Sequence, residues 1–384
     1  MNHLLSISPT TSTPSTKVIL VRHARTTYNQ QGRYQGSSDE SVLTEKGHQD
    51  AYATGLALQQ YNFDAIYTSP LTRVQQTTQV ILTALKQKKN NIPSVFIDRQ
   101  LTEIQMLDWQ GLLYQEVKDK FADDYNCWQN TPHLFAFNKT FFPVIELFKQ
   151  AQQFWQIVLN RHRGKTILVV AHGGTNRALI STAVGLNPEH YHSLQQSNCG
   201  ISCLEFSSKH NFGELKYLNV TSHLGETLPK LKAGKTGWRW LLLSKVNAKN
   251  LAEDSYVTRL INSNSINLLL TDRSVSGYPI KELVAQYKIP HISLAQNHFL
   301  DWQQTIIKQK KYSFNSEQAS LTTGLIIASD KLLAQILYTT LNINTLNIAA
   351  YLAIIHYPQN YSYSILQGVL PLMEVSSQKL TVNQ

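Results

Sequence analysis

The chain predicts an α/β protein, a three-layer sandwich with a mostly parallel sheet flanked by helices, followed by a degenerate second copy of that unit. Three observations carry the prediction. Short apolar runs rich in β-branched residues occur at Lys17-Val-Ile-Leu-Val21, Ala65-Ile-Tyr-Thr68 and Thr166-Ile-Leu-Val-Val-Ala171, each of the length of a buried strand. Each run leads into a polar turn and a helical pattern, the alternation that builds a parallel sheet. The same succession returns, more faintly, beyond residue 237.

The elements follow in order along 384 residues, a length that suits two domains. Residues 1–16 are rich in Ser, Thr and Pro, lack the apolar stretch of a signal peptide, and read as a disordered lead-in. The first unit spans 17–224. Within it Thr44 is positioned to cap a helix running toward Gln60, and Thr72 lies near the start of one running to Lys86. Residues Phe142–Leu159 form a third helical pattern, with Phe142, Ile145, Phe148 and Trp155 expected on one face. Residues 225–237, GETLPKLKAGKTG, read as a linker.

The second copy, 238–384, aligns by its apolar runs. Leu241–Ser244 lies on Val18–Val21, Ile266–Thr271 on Phe63–Thr68, and Thr323–Ser329 on Thr166–His172. Being shorter, it is expected to keep only part of the sheet and helices.

Composition excludes several classes. Three cysteines, Cys127, Cys199 and Cys203, build no disulfide scaffold and lack the partners of a structural zinc site. No apolar run approaches the ~20 residues of a membrane span. The net charge of +10 divides evenly, +5 in residues 1–232 and +5 in 233–384, with no basic block. That spread argues against a nucleic-acid partner and for a modest preference for small anions. The expected compartment is the cytoplasm, or a plastid stroma.

The residues that carry chemistry collect where the strands end, the working edge of a parallel sheet. The first run ends in Arg22-His23, the second leads to Arg73, and the third ends in His172-Gly173-Gly174. Any one of these on its own reads as a surface turn or a satisfied structural histidine. Three strand ends delivering Arg22/His23, Arg73 and His172 point instead to one site. A neutral imidazole can attack phosphorus, and phosphoryl transfer needs cations around the phosphoryl oxygens, which the planar arginine fork supplies. Glycine at 173 permits close backbone approach to a ligand.

Taken together, RHARTTYNQQGRYQG, LTEKG, YTSPLTR and VVAHGG resemble the histidine phosphatase superfamily, also called phosphoglycerate mutase-like, over roughly Lys17–Leu224. The resemblance implies that His23 is phosphorylated, that Arg22, Arg73 and His172 bind the phosphate, and that Asn29 lies nearby. It also implies an acidic proton donor after the second helix. Leu101-Thr-Glu103…Trp109-Gln-Gly111 resembles that pattern and makes Glu103 the general acid/base, with Asp108 as local competitor. The sequence departs from the family at Ala24, where glycine is usual. The chemistry implied needs no cofactor or metal, and no His/Asp/Glu cluster has ligand spacing.

The stretches FFPVIELFKQAQQFWQ, NRALISTAVGLNPEHYHSLQQSNCGIS and HLGETLPKL are similar to tandem-domain members of cyanobacteria and plastids. That group implies a small phosphorylated metabolite as partner, with 2-carboxy-D-arabinitol 1-phosphate as candidate substrate. Gln35, Gly36 and the insert Leu107–Phe142 are expected to set specificity. A phosphoglycerate mutase would use the same pocket, but Ile104–Lys139 contains none of the arginines of a mutase insert. A non-catalytic scaffold is the third reading. In the second copy Lys245 and Val246 fall at Arg22 and His23, Ser276 at Arg73 and Ser329 at His172, so that unit is expected to be inert.

Overall fold

The computed structural model describes residues 14–89, 91–207, 212–248, 258, 266–275, 278–312, 320–343 and 346–372. The lead-in up to residue 13 and Ser276 therefore lie outside the described residues.

Six strands come from the first half: β1 (Thr16–Arg22), β2 (Ala65–Thr68), β3 (Val95–Ile97), β4 (Thr166–Ala171), β5 (Ile201–Phe206) and β6 (Glu214–Val220). Six follow in the second: β7 (Gly237–Ser244), β8 (Leu268–Asp272), β9 (His291–Leu294), β10 (Leu321–Ala328), β11 (Tyr351–Tyr357) and β12 (Ile365–Pro371). They form one sheet in the order β3-β2-β4-β1-β5-β6-β12-β11-β7-β10-β8-β9. Read inward from either edge, the two halves have the same order. In each, four strands run parallel (β3-β2-β4-β1 and β9-β8-β10-β7) and two antiparallel strands lead to the seam. The halves meet where β6 pairs antiparallel with β12 through Leu218 and Val369. The shorter half thus retains six strand positions among its described residues, more of the sheet than its length suggests.

Alternation along β1 shows how the layers arise. Val18 and Leu20 point to one face, where they join Phe154, Leu179 and, across the seam, Trp240, Leu242 and Ile326 in a shared core. Ile19 and Val21 point to the other, against Leu58, Val74 and Ile81. On that second face the C-terminal half has a separate core containing Leu241, Leu243 and Leu325.

Register corrects the expected alignment of β7. Arg22 pairs with Ala171, and Ser244 pairs with Ala328. Ser244 therefore stands at Arg22 and Lys245 at His23, one residue earlier than Lys245 and Val246. A leucine run does not reveal its own register, but a slip of one residue sends every side chain to the wrong face. Leu241 indeed faces as Ile19 does, not as Val18. The alignments of β8 and β10 match the pairing of Thr271 with Ile327 and of Thr68 with Val170.

Helices cover both faces. Thr44 caps the Glu45–Leu58 helix by accepting from the Gly47 N–H at 3.0 Å. The Thr72–Lys86 helix packs beside it. On the other face the Pro143–Arg161 helix starts with proline in its first turn and buries Val144, Leu147, Phe148, Ala151, Phe154, Trp155 and Val158. That stripe is rotated from the expected one: Phe142 is exposed and Ile145 only half-buried. Phe142 is the N-cap and so lies outside the helical stripe, whereas the aromatic residues within the helix, Phe148, Phe154 and Trp155, all fall in the buried one. None of the described helices is long and apolar enough to cross a membrane.

Candidate active site

Three parallel strands place the site. β1 runs directly into His23, whose backbone N–H donates to the Ala171 carbonyl of neighbouring β4 at 2.8 Å. β4 in turn ends at His172, the N-cap of the Gly173–Val184 helix. β2 leads through Ser69 to Arg73 in the first turn of the Thr72–Lys86 helix. His23 and His172 consequently meet edge to face, with ring centroids 5.4 Å apart.

His23 is buried, and its Nδ1 lies 2.8 Å from the Ala24 carbonyl. A carbonyl only accepts, so Nδ1 carries the hydrogen and Nε2 keeps its lone pair. Burial first, then Arg22 and Arg73, hold the His23 pKa well below its ordinary value, so the ring is neutral at pH 7. His172 is held down in the same way, by burial and then Arg73, His23 and Arg22. Its Nε2 is 2.8 Å from the Ser69 hydroxyl.

Both arginines are held by backbone carbonyls. Arg22 donates from one terminal nitrogen to Gln196 O at 2.7 Å. Arg73, fully buried, donates to Ser38 O at 2.6 Å and Gly36 O at 2.7 Å. These bonds fix the guanidinium planes yet leave Arg22 Nε, Arg73 Nε and His172 Nδ1 buried without a protein partner. With the Ser69 hydroxyl donating to His172 Nε2, Nδ1 carries the hydrogen of that neutral ring. A buried N–H without a partner costs free energy until an acceptor arrives, and three of them around one histidine pair suit an oxygen anion.

Glu103 reaches the site from the loop after the short helix Arg99–Leu101. Its carboxylate accepts from Gly174 N and Thr175 N, both at 3.0 Å, and from the Thr175 hydroxyl at 3.3 Å. It therefore sits at the N-terminus of the helix that begins beside His172. A side chain at Gly174 would run into that carboxylate, and one at Gly173 would press on the Arg22 guanidinium. Asp108 is exposed, away from these contacts.

The remaining expected residues brace the site. Asn29 closes a capping box with Thr26 and accepts from Asn198 Nδ2 at 3.0 Å. Gln35 accepts from the hydroxyls of Thr26 and Ser41 at 3.1 and 2.7 Å. Gly36, at φ 51°, turns its carbonyl onto Arg73. Ala24 is buried, with its N–H bonded to the Thr77 hydroxyl at 3.0 Å, so the loop accommodates the methyl group.

Residue-by-residue reading missed Asn198, which donates to the carbonyls of His23 and Ala24 at 3.0 and 3.3 Å and ties the His23 loop to the stretch before β5. It also missed Ser69 and the Gln196 carbonyl. Gln196 and Asn198 lay inside the QQSNCGIS stretch, but nothing in their types or spacing marks a loop brace. The insert packs Trp109, Trp128, Phe135 and Phe137 against one another, edge-on or tilted.

Comparison with known proteins identifies the family. Residues 18–221 match the model of the histidine phosphatase superfamily (branch 1). The chain is 39% identical over 227 residues to a probable 2-carboxy-D-arabinitol-1-phosphatase of Arabidopsis thaliana, covering 58% of this chain and 44% of that protein. It is 43% identical over 191 residues to the 2-carboxy-D-arabinitol-1-phosphatase of Triticum aestivum, covering 50% and 37%. Phosphoserine phosphatase 1 of Hydrogenobacter thermophilus is 31% identical over 210 residues, covering 55% of this chain and 95% of that one. The chain thus spans less than half the length of the first two relatives. With more than half of its residues inside the matched region, the chain belongs to the histidine phosphatase superfamily, branch 1.

Proposed function

We propose that this protein is a metal-independent phosphomonoesterase that works through a phosphohistidine on His23, with Glu103 as general acid/base. The observation that carries the reading is the pairing of a neutral His23 with a free Nε2 lone pair and three buried, unpartnered N–H donors, Arg22 Nε, Arg73 Nε and His172 Nδ1. The phosphoryl oxygens take those donors, and charge developing on them is stabilised by groups already in place. His23 Nε2 attacks phosphorus as the ester P–O bond breaks, and the leaving alkoxide takes a proton from Glu103. Water then gives a proton to Glu103 and attacks phosphorus, the P–N bond breaks, and inorganic phosphate leaves His23 neutral again. The Nδ1 hydrogen bond to Ala24 keeps the ring oriented throughout.

The substrate class this supports is a small phosphorylated metabolite, with 2-carboxy-D-arabinitol 1-phosphate as first candidate and phosphoserine as second. The C-terminal half has no such constellation among its described residues. Lys245, at the position of His23, has its ammonium 3.1 Å from the Ser274 hydroxyl, and Ser329 replaces His172. We read that half as non-catalytic.

The test is phosphate release by wild type and His23→Ala in EDTA. The panel is 2-carboxy-D-arabinitol 1-phosphate, phosphoserine, fructose bisphosphates, and 3-phosphoglycerate with and without a bisphosphate primer. Release that disappears in His23→Ala supports the phosphatase. Isomerisation of 3-phosphoglycerate with little release moves the assignment to a mutase. Equal behaviour of the two proteins on everything sinks the catalytic reading.

A further inference from the structure

The C-terminal half grips the N-terminal half on a segment that borders the site without belonging to it. After the Gly173–Val184 helix the chain turns through the short helix Pro188–Ser193, which has proline in its first turn. It then runs on to Gln196, whose carbonyl holds Arg22. The hairpin between β11 and β12 meets this segment side chain on side chain and backbone on backbone. Tyr363 stacks on the His192 ring, with centroids 5.5 Å apart and planes 22° apart. Leu366 O accepts from the Gln195 N–H at 3.0 Å, and Leu194 and Leu366 pair as a parallel bridge. Beside them the Ser362 hydroxyl donates to Asn130 Oδ1 at 3.0 Å.

From His192 the contacts lead inward. Its Nε2 donates to the Trp128 carbonyl at 2.8 Å, and its ring meets Trp128 edge to face at 4.8 Å, so the imidazole is fixed on two sides. The adjoining Tyr191 is fully buried, edge to face with Trp128 at 5.6 Å. Arg177 lies over its ring at 5.5 Å and is itself held by Leu194 O at 2.8 Å. The Tyr191 hydroxyl ends at Gly174, where an added Cβ would run into that hydroxyl and the Glu103 carboxylate alike. The phenol oxygen and Glu103 Oε1 thus border one small space, next to the N–H groups of Gly174 and Thr175 that hold the carboxylate. Burial, and then the charge of Glu103, raise the Tyr191 pKa, so the phenol keeps its proton. A loop carboxylate has several rotamers; backbone N–H groups on one side and a buried phenol on the other leave it few. An acid/base must stay within reach of the leaving oxygen, so what confines Glu103 bears on the proton-transfer step.

We infer that Tyr191 is a positioning residue for the Glu103 carboxylate, and that Tyr363 of the C-terminal half is a positioning residue for Tyr191, acting through His192. This rests on the phosphatase reading and gives the non-catalytic half a role, since it steadies the proton-transfer side of its neighbour's pocket.

The experiment follows phosphohistidine formation by rapid quench from three esters. Phosphoserine and 2-carboxy-D-arabinitol 1-phosphate have alkoxide leaving groups that need a proton, and 4-nitrophenyl phosphate has one that does not. The full-length proteins are wild type, Glu103→Gln, Tyr191→Phe, Tyr363→Leu and Tyr363→Phe. Tyr191→Phe and Tyr363→Leu are expected to slow the alkyl esters about tenfold, inside the ~10²-fold that a misplacement of ~1 Å can cost, and to leave the nitrophenyl ester within about twofold. Tyr363→Phe keeps the stacked ring and restores the wild-type rates. The amount of phosphohistidine formed counts folded enzyme, so a poorly folding variant loses amplitude and not rate. Equal slowing of all esters in Tyr191→Phe, or of none, overturns the inference while leaving the phosphatase standing. The same result in Tyr363→Leu alone overturns the part given to the C-terminal half. If Glu103→Gln shows no selective loss, the acid/base assignment fails and this inference with it. If wild type forms no phosphohistidine from any of the three, the phosphatase reading itself fails.

Discussion

The two halves of this chain share a strand order and differ at the strand ends, where the comparison is most instructive. In the N-terminal half β1, β2 and β4 end in Arg22-His23, Ser69 and His172, and the Ser69 hydroxyl meets His172. In the C-terminal half the register puts Ser244-Lys245, Asp272 and Ser329 at the same places. There the fully buried Asp272 occupies the centre, accepting from Ser274 N at 2.7 Å and Ser329 N at 2.8 Å. Burial pushes its pKa up, but the hydrogen bonds from Ser274 and Ser329 outweigh burial and lower it. Ser244 bonds a second carboxylate, Asp330. One half presents unpartnered donors to an anion, and the other has filled the same corner with its own anions. The sheet is indifferent to the exchange, because the apolar alternation beneath both corners is intact.

The sharpest way to break that comparison is to substitute the corresponding residues. His23→Ala removes the proposed nucleophile and is expected to lower phosphate release by at least about 10³-fold. Lys245→Ala at the matching position should leave kcat and KM unchanged. A loss in Lys245→Ala comparable to that in His23→Ala would mean the second corner takes part in turnover.

Glu103→Gln comes next. Losing the proposed proton carrier is expected to cost about 10²–10⁴-fold for an alkyl phosphate. A nitrophenyl phosphate, whose leaving group needs no proton, should still give a burst of nitrophenolate while phosphohistidine accumulates. A uniform loss on both substrates would assign Glu103 a purely structural role at the helix N-terminus.

Much of this was legible in the residues, for a physical reason. Strand-end residues lie next to their apolar runs in sequence, so His23, Arg73 and His172 could be placed by reading outward from the strands. Glu103 needed the family resemblance, since nothing local distinguishes it from Asp108; the structure separates them by giving only Glu103 the N–H groups of Gly174 and Thr175. Asn198 and Gln196 act through bonds to residues more than 170 positions away, a distance that periodicity does not bridge. The off-by-one in β7 has the same origin. A homogeneous run such as Leu241-Leu-Leu carries face information only once its neighbours are known.

The seam offers a test of whether the halves are one cooperative body. Asn219, fully buried at φ 56°, donates to Gln367 O at 2.8 Å across the seam and accepts from Ser197 N at 2.7 Å. Asn219→Ala leaves both groups unpaired and places alanine in left-handed backbone. The expected destabilisation is about 2–4 kcal/mol, measured by urea unfolding with probes in each half. Coincident loss at both probes fits a shared core running under β6 and β12. Two separated transitions in the wild type would show that the halves fold independently despite the continuous sheet.

The smallest expected effect reads the electrostatic contact between the connecting segment and the N-terminal half. The His23 pKa is lowered by burial, by Arg22 and Arg73, and to a lesser degree by Lys232. A positive neighbour disfavours the imidazolium, so removing one must raise the pKa toward the ordinary ~6.5. Lys232→Met is therefore expected to move the His23 ring titration upward by a fraction of a unit, followed by NMR of labelled histidine in the free protein. The neutral, attacking form would then be lost at a slightly higher pH as the solution is acidified. Lys235→Met, a charge change three residues farther along the chain, should leave the titration where it is. An unmoved His23 in Lys232→Met would place the lysine beyond electrostatic reach of the imidazole.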